Sequence, residues 1–377
     1  MTPAMHEPTA PTTATSGLPS RRGVYLGTRD GITDLDGTDF LDGLHDAARD
    51  CGGRVPAILG LARELGPQLP FPGRGRTLGL WQALATLGAA DLTAARIIEP
   101  HVDAVAILHQ AGRSDIQTGD STWGVFAAQG PGEQLLATET DRGWRLNGPK
   151  PWCSLAEDLS HALVTARAED GMRLFAIELS HPGISTMGRA WTALGLPSVP
   201  SRGLSLVDVP AIAVGSPEWY VQRPGFSWGG IGVAAIWHGA ATALARRVYR
   251  HCLSREPDQI ALWHLGTLDQ ALWSSRVAFE AAAATVDRQS ADSLEHGGGD
   301  APALTAARLR AAVVSASETI LTVSAHGMGP EPLAFEPEHA QRVADLELYL
   351  RQDHAERSLS AQGRSVFTTA GGGEPPW

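Results

Sequence analysis

Two neighbouring stretches decide the fold: residues 123–131 read WGVFAAQGP, and residues 144–154 read WRLNGPKPWCS. The first is a compact apolar run that ends in Gly130-Pro131. The second follows the turn-rich segment Asp141-Arg142-Gly143. Short apolar runs bounded by glycine, proline and aspartate are typical of β-strands. We therefore expect strands in both stretches, with a turn between them.

More short apolar runs follow at similar spacing, at residues 135–140, 162–166, 174–177 and 204–209. Glu169-Asp170-Gly171 lies between two of these runs and predicts a hairpin turn. Strands of this length and spacing predict a β-sandwich or barrel of about 100 residues. We assign this central β-domain to residues 119–223.

Helical periodicity flanks the predicted β-domain on both sides. On the N-terminal side, residues 38–66 and 76–111 are predicted to be helical, with Pro100 kinking or splitting the second segment. On the C-terminal side, segments 228–253, 258–289, 303–326 and 338–362 predict an up-down four-helix bundle. The fold class is therefore α+β. It has an N-terminal helical domain (23–118), the β-domain, the bundle (224–365), a disordered tail (1–22) and a frayed tail (366–377).

Composition excludes several classes of function. The net charge is −11 and no basic stripe occurs, which argues against nucleic acid as a partner. The three cysteines lack metal-ligand spacing, so neither a disulfide framework nor a metal site is expected. No apolar run reaches the roughly 20 residues of a membrane span. These features favour a cytoplasmic protein. Lys150, the only lysine, is expected to be a structural surface residue.

The predicted strands and helices carry motifs that resemble the acyl-CoA dehydrogenase family. Residues 126–131 resemble the family's F-A-x-T-E-P strand, and residues 146–154 resemble its L-N-G-x-K-x-W-I-[TS] stretch. Residues 326–329, HGMG, resemble the family's H-G-G-x-G turn. The motifs occur in the family's order over roughly residues 75–365. The resemblance implies an FAD-dependent oxidoreductase.

By this resemblance, Phe126, Gln129, Trp152 and Ser154 contact the flavin ring. Ser154 can donate to the N5–C4 edge, Gln129 can serve the pyrimidine edge, and Trp152 can cover one ring face. The other interpretation is that Phe126 and Trp152 belong to the β-domain core and that Ser154 caps a turn. Gly327 and Gly329 are implied to approach the FAD pyrophosphate, or else simply end a helix. Arg342 and Arg351 are further candidates for a phosphate contact.

The family removes an α-proton from its substrate with a glutamate, which this sequence lacks at both usual positions. Asp353 falls near one position, with His354 beside it. Gly229 and Gly230 occupy the other. Asp353 and His354 are therefore the candidate catalytic bases, unless they belong to a solvated helix face. Glu99, His101 and Asp103 form a Glu-x-His-x-Asp pattern that we interpret as helix packing.

Three functions follow from these residues and the resemblance. The first is oxidation of the α,β C–C bond of an acyl thioester, carried on CoA or a carrier protein, with an electron-transfer partner or oxygen as acceptor. The second is a flavin-dependent monooxygenase or oxidase reaction on the same fold. The third is a catalytically silent subunit of a heteromer. The resemblance also implies a homodimer or homotetramer.

Overall fold

The computed structural model describes residues 22–27, 38–130, 132–254, 256–288 and 301–369. Helices, then strands, then helices follow one another along the chain. The predicted α+β architecture is confirmed. The predicted disordered tail lies outside the described residues, except for Arg22, whose backbone N–H donates to Asp42. Among the described helices, none is long and apolar enough to cross a membrane.

The described part of the N-terminal region holds four helices, and both predicted helical segments are broken. The helices are α1 (Thr38–Asp50), α2 (Val55–Leu65), α3 (Thr77–Ala90) and α4 (Leu92–Gln110). The break in the second segment lies at Asp91, whose extended backbone and side chain cap α4 by accepting from Thr93 and Ala94 N–H. Pro100 lies inside α4, so the prediction of a split at this proline was wrong.

The β-domain is a seven-stranded sheet that closes on itself. Its strands are β1 (Trp123–Phe126), β2 (Leu136–Thr140), β3 (Gly143–Ser154), β4 (His161–Ala168), β5 (Gly171–Glu178), β6 (Ile184–Met187) and β7 (Ser201–Val214). The pairings β2–β3, β3–β7, β7–β5, β5–β4 and β4–β2 form a ring. The domain is therefore a barrel, with β1 and β6 added alongside β4 and β7.

The predicted hairpin at Glu169-Asp170-Gly171 is present, because Ala168 pairs with Gly171 across β4 and β5. The strand β6 was missed. Its four residues alternate between intermediate and exposed burial, so they lack the apolar run that marked the other strands.

The C-terminal region begins with the short α5 (Trp219–Gln222) and continues with long helices. These are α6 (Pro224–Leu253), α7 (Gln259–Arg288) and α8 (Ala301–Met328), followed by α9 (Glu331–Phe335), α10 (Pro337–Leu350) and α11 (Glu356–Thr369). The predicted helix 338–362 is broken, since Ala355 has a φ of +47°. Residues 366–369 of the expected frayed tail lie in α11. Residues 370–377 lie outside the described part.

Helix α3 is the centre of the helical core, and nearly all of its side chains are buried. It crosses α6 at two glycines. A Cβ on Gly88 would overlap the carbonyl oxygen of Ile236, and a Cβ on Gly239 would overlap that of Ala85. Backbones approach this closely only where one partner lacks a side chain. These two close contacts fix the position of α6 against α3.

Candidate functional site

A cavity of about 940 Å³ lies between the barrel and the helices. Its walls come from the end of β1, one face of α4, the first turns of α6, the N-terminal half of α8, and residues 351–365. The barrel side is formed by small side chains, Val125, Ala127 and Ala128. Small-molecule sites span roughly 300–1,000 Å³, so this cavity has the size of a ligand site.

Helix α4 presents three charged side chains to the cavity: Arg96, Glu99 and Asp103. Residues three and four positions apart lie on one face of a helix, which places all three on the cavity wall. Burial, reinforced by the nearby Asp103 carboxylate, raises the pKa of Glu99 to about 7. Burial likewise raises the pKa of Asp103, against the opposing charge of Arg223. Both pKa values are therefore higher than those of the same carboxyl groups in water.

Asp103 lies against the glycine positions where the family's alternative base would stand. A Cβ built on Gly229 would be 3.0 Å from Asp103 Oδ1. The carboxylate from α4 thus occupies space that a side chain on α6 would otherwise fill. Sequence reasoning found no carboxylate here because Asp103 is 126 positions before Gly229 in the chain. The available signal was the i, i+4 spacing of Glu99 and Asp103.

His101, between these two acids in sequence, does not share their environment. His101 is buried and packs against Gly66, the residue that follows α2. A Cβ built on Gly66 would lie 3.1 Å from His101 Nε2. Burial lowers the pKa of His101 to about 4, so this imidazole is neutral. Helix packing was therefore the correct interpretation for His101. It does not describe the two carboxylates, which line the cavity.

Arg310 on α8 forms the opposite wall of the cavity. Its Nη1 donates to Gly230 O at 2.6 Å, and its guanidinium lies 4.7 Å from the centroid of the Trp237 ring. The Asp353 carboxylate is 3.7 Å from Arg310 Nη2 and also accepts from Ala355 N–H at 2.9 Å. Burial lowers the pKa of Arg310, while Asp353 opposes that shift.

The two candidate bases are therefore placed differently. Asp353 borders the cavity, with its carboxylate engaged by Arg310 and the Ala355 N–H. His354 is exposed and does not border the cavity. The structure thus brings Asp353, and not His354, to the cavity.

Ser154 connects the barrel to the cavity. Its Oγ accepts from Arg96 Nη2 at 2.9 Å and shares a 2.7 Å hydrogen bond with Ser201 Oγ. Arg96 in turn borders the cavity, and its guanidinium lies 5.6 Å from the centroid of the Tyr349 ring. Of the four predicted flavin contacts in the barrel, Ser154 is the one that reaches the cavity through a partner.

The other three predicted contacts do not border the cavity. Phe126 is buried in the main hydrophobic core, as the alternative interpretation had it. Gln129 is exposed. Trp152 is 61% exposed with a φ of +60°, so the alternative placement of its ring in the core was wrong. An exposed tryptophan on a strand remains available to a ligand or to a second chain.

Gly327 and Gly329 lie at the far end of α8 from the cavity. The α8 residues on the cavity wall run from Ala303 to Glu318. Gly327 is nine positions after Glu318 along the helix, which corresponds to about 14 Å at 1.5 Å per residue. Gly329 has a φ of +70° and its N–H donates to Ala325 O, which is the usual glycine geometry at a helix end.

Two further expectations were wrong. Arg342 is buried, and its guanidinium donates to the carbonyl oxygens of Ala89 and Ala90 at the end of α3, so it is not free for a phosphate. Lys150 is 3% exposed rather than on the surface. Its Nζ donates to Thr165 O at 2.8 Å and to Thr165 Oγ1 at 2.7 Å, inside the barrel.

Comparison with known proteins identifies the fold. Residues 127–209 match the family model for the acyl-CoA dehydrogenase middle domain. Butyryl-CoA dehydrogenase from Megasphaera elsdenii has a similar structure, with a TM-score of 0.69 and 18% identity over 90% of this chain and 100% of that chain. The chain has the acyl-CoA dehydrogenase fold.

Other structures with this fold carry different names. A nitrososynthase from Micromonospora carbonacea var. africana has a TM-score of 0.74 and 19% identity over 92% of this chain and 99% of that one. KijD3, in complex with FMN and dTDP-3-amino-2,3,6-trideoxy-4-keto-3-methyl-D-glucose, has a TM-score of 0.72 and 17% identity over 89% and 95%. At these identities the likeness concerns the fold alone. No curated protein matches the sequence.

Proposed function

We propose that this chain is a flavin-dependent oxidoreductase that binds FAD and its substrate together in the cavity between the barrel and the bundle. The observation that carries the proposal is the cavity itself, which borders the start of the matched middle-domain segment and has the volume of a ligand site. A bound flavin would accept or deliver electrons beside the substrate. Two similar structures support a flavin: KijD3 is in complex with FMN, and a glutaryl-CoA dehydrogenase from Mycobacterium smegmatis is in complex with FADH2.

The residues present fit a flavin at the barrel wall. Ala127 and Ala128 leave space beside β1. Arg96 and Ser154, joined by a hydrogen bond, supply donors at the same wall. The exposed Trp152 near the end of β3 does not border the cavity, so it is not counted among these groups. Gly327 and Gly329 lie far from the cavity of their own chain. They would reach a cofactor only if it were bound by a second copy of the chain.

The test of flavin binding is the absorption spectrum of the purified protein, followed by titration of the flavin-stripped chain with FAD and with FMN. We expect a yellow protein that prefers FAD. Ser154→Ala should weaken retention by about ten-fold, the effect of losing one or two hydrogen bonds. Ser185→Ala, an exposed serine on β6, is the matched control. A colourless protein that binds neither flavin would support the catalytically silent subunit instead.

The cavity favours oxidation of a polar substrate over dehydrogenation of an alkyl thioester. The Asp353 carboxylate is engaged by Arg310, so it is not free to remove an α-proton. Glu99 and Asp103 would also face the hydrocarbon of an acyl chain, and burying carboxylates against hydrocarbon is costly. We therefore place the monooxygenase or oxidase reaction ahead of thioester oxidation.

Two assays separate these reactions. If the chain is a thioester dehydrogenase, an acyl-CoA will bleach the flavin under anaerobic conditions. If it is a monooxygenase, acyl-CoA will leave the spectrum unchanged, and the protein will consume oxygen when reduced flavin is supplied. Bleaching of the flavin by an acyl-CoA would favour thioester oxidation over the monooxygenase or oxidase reaction.

We also propose a homo-oligomer formed through α7. Several large apolar side chains on this helix are exposed: Ile260, Leu262, Trp263 and Trp273. Monomeric proteins seldom leave such a group uncovered, and paired bundles are what the family resemblance implies. Light scattering should give the mass of a dimer or tetramer, and Trp263→Glu should reduce it. A monomeric wild-type chain would refute this assignment.

A further inference from the structure

A second cavity, which we call the arginine cavity, has a volume of about 460 Å³ and lies among α1, α3, α6 and the start of α10. Arginine supplies six of its lining residues: Arg22, Arg49, Arg246, Arg247, Arg250 and Arg342. Glu336 and Glu338 are the acids among the described residues on its wall. Two lining histidines, His45 and His339, count as neutral because burial lowers the pKa of both. The wall therefore has four more cationic than acidic side chains, although the net charge of the protein is −11.

The arginine cavity is separate from the cavity between the barrel and the helices. Along α6, the cavity at the barrel ends at Val233, and the arginine cavity begins at Ala243. Ten positions along a helix correspond to about 15 Å. None of the described residues lines both cavities. A ligand of the arginine cavity would therefore bind away from the substrate of the proposed flavin reaction.

The two glutamates on the wall neutralise only part of its positive charge. Arg49 donates twice to Glu338, at 2.7 and 3.0 Å, and Arg247 donates twice to Glu336. Arg342 shares Glu338 at 3.2 Å and otherwise donates to backbone carbonyl oxygens. Each glutamate can balance one cation, so the other arginines of the wall need a different counter-charge.

Arg246 and Arg250 have no carboxylate partner within the described part of the chain. Arg246 donates to two backbone carbonyl oxygens of the N-terminal segment, both at 2.7 Å. Arg250 is exposed and forms no ion pair or hydrogen bond with the described residues. Burial lowers the pKa of Arg246, and the charge of Arg250 lowers it further, whereas Asp42 opposes the shift. The two cations on α6 therefore repel each other across the wall, and Asp46 relieves only Arg22, at 3.0 Å.

The unpartnered N–H groups of these arginines are open to the cavity. Arg246 Nε and Arg247 Nη1 form no hydrogen bond with the described residues, and neither is among the enclosed unpartnered atoms of those residues. All five N–H donors of Arg250 are free as well. The planar guanidinium group places its donors to match two oxygens of a phosphate. Three neighbouring arginines on α6 thus offer donors to one polyvalent oxyanion.

We propose that the arginine cavity is a second binding site of this protein, for a ligand that carries two linked phosphate groups. A terminal phosphate group brings roughly −1.5 to −2 charges near neutral pH, so two linked groups match the surplus of the wall better than one carboxylate does. The volume of about 460 Å³ is that of a small-molecule site. Inorganic diphosphate and a nucleoside diphosphate share this chemistry, and they differ in whether a base and a sugar are also held.

The test is calorimetric titration of the full-length, flavin-saturated protein with inorganic diphosphate, ADP and sulfate. We expect diphosphate to bind about ten-fold or more tightly than sulfate, because it engages more of the guanidinium groups. Tighter binding of ADP would support a nucleotide as the source of the diphosphate, and equal affinity would support the diphosphate group alone. Arg250→Gln should weaken diphosphate binding by about ten-fold. Arg142→Gln, at an exposed arginine in the turn between β2 and β3, is the matched control.

A charge reversal makes the test decisive. Arg250 has no partner in the described fold, so Arg250→Glu should leave thermal unfolding unchanged and abolish diphosphate binding. The proposal is overturned if neither diphosphate nor ADP binds, if sulfate binds equally well, or if Arg250→Glu keeps the wild-type affinity. It is also overturned if added diphosphate releases the bound flavin, because the cavity would then hold the cofactor's own diphosphate. A colourless chain that binds diphosphate through Arg250 would refute the flavin proposal and retain this one.

Discussion

Replacing Lys150 by methionine tests the interior of the barrel and the wall of the cavity together. Lys150 is buried, and its Nζ donates twice to Thr165, whose Oγ1 donates in turn to Ala127 O at 3.3 Å. Ala127 borders the cavity. Burial lowers the pKa of Lys150 from 10.5 to about 8. The ammonium form is therefore less stable in the folded chain than in water.

The sign of the pH dependence follows from proton binding. Between about pH 8 and 10.5 the unfolded chain holds a proton at Lys150 that the folded chain has released. Stability therefore rises with pH across this window. The whole difference corresponds to roughly 3 kcal/mol, and about 2 kcal/mol of it is gained by pH 10. Lys150→Met lacks this gain.

The assay is urea unfolding of the wild type and Lys150→Met at pH 7, 8, 9 and 10, followed by tryptophan fluorescence. Other groups titrate in both proteins, so they cancel in the difference. The neighbouring Cys153 thiol stays protonated, because burial raises its pKa to about 12. We expect the wild type to gain stability over the variant above pH 8. A difference that is constant from pH 7 to 10 would refute the argument.

Three further predictions concern α6, α4 and the cavity wall. Gly239→Ala should lower the free energy of unfolding by about 2–4 kcal/mol, because the added Cβ meets the α3 backbone. Gly266→Ala on α7, where a Cβ meets no other atom, should raise the free energy of unfolding by up to about 1 kcal/mol. Chemical denaturation measures both changes. The wild type should lose stability relative to Glu99→Gln as pH rises from 4.5 to about 7, because the folded chain holds a proton on Glu99 that the unfolded chain has released. Unfolding curves of both proteins across that pH range measure the difference. Asp353→Ala should change the rate of substrate oxidation by less than about five-fold, whereas a loss above about 100-fold would identify Asp353 as the base after all.

The sequence predicted the order of the architecture because hydrophobic periodicity is local. The barrel strands and the long helices each carry their own pattern, and Glu169-Asp170-Gly171 forms a tight turn without help from distant residues. The positions at which helices end were harder to predict. Asp91 ends one helix and caps the next, while Pro100 is accommodated within α4. Nothing in the local pattern ranks a capping aspartate above a proline as a breakpoint.

The candidate site was less predictable because its residues meet only in three dimensions. Ser154 was identified from its motif, yet its partner Arg96 lies 58 positions earlier. Glu99 and Asp103 were noticed as a pattern and assigned to packing. Their role depends on an absent side chain at Gly229, on another helix. Lys150 was misplaced because a lone lysine gives no sequence signal of a buried partner such as Thr165.

The strand pairings that close the barrel differ in length, and this bears on where the β-domain can deform. Four of its five junctions are ladders of several residue pairs, whereas β2 meets β4 through the one pair Leu136 and Arg167. Moving β2 away from β4 would break one residue pair and keep the β2–β3 hairpin intact. The β-domain can therefore accept an insertion at this junction while the four longer ladders preserve the rest of the barrel.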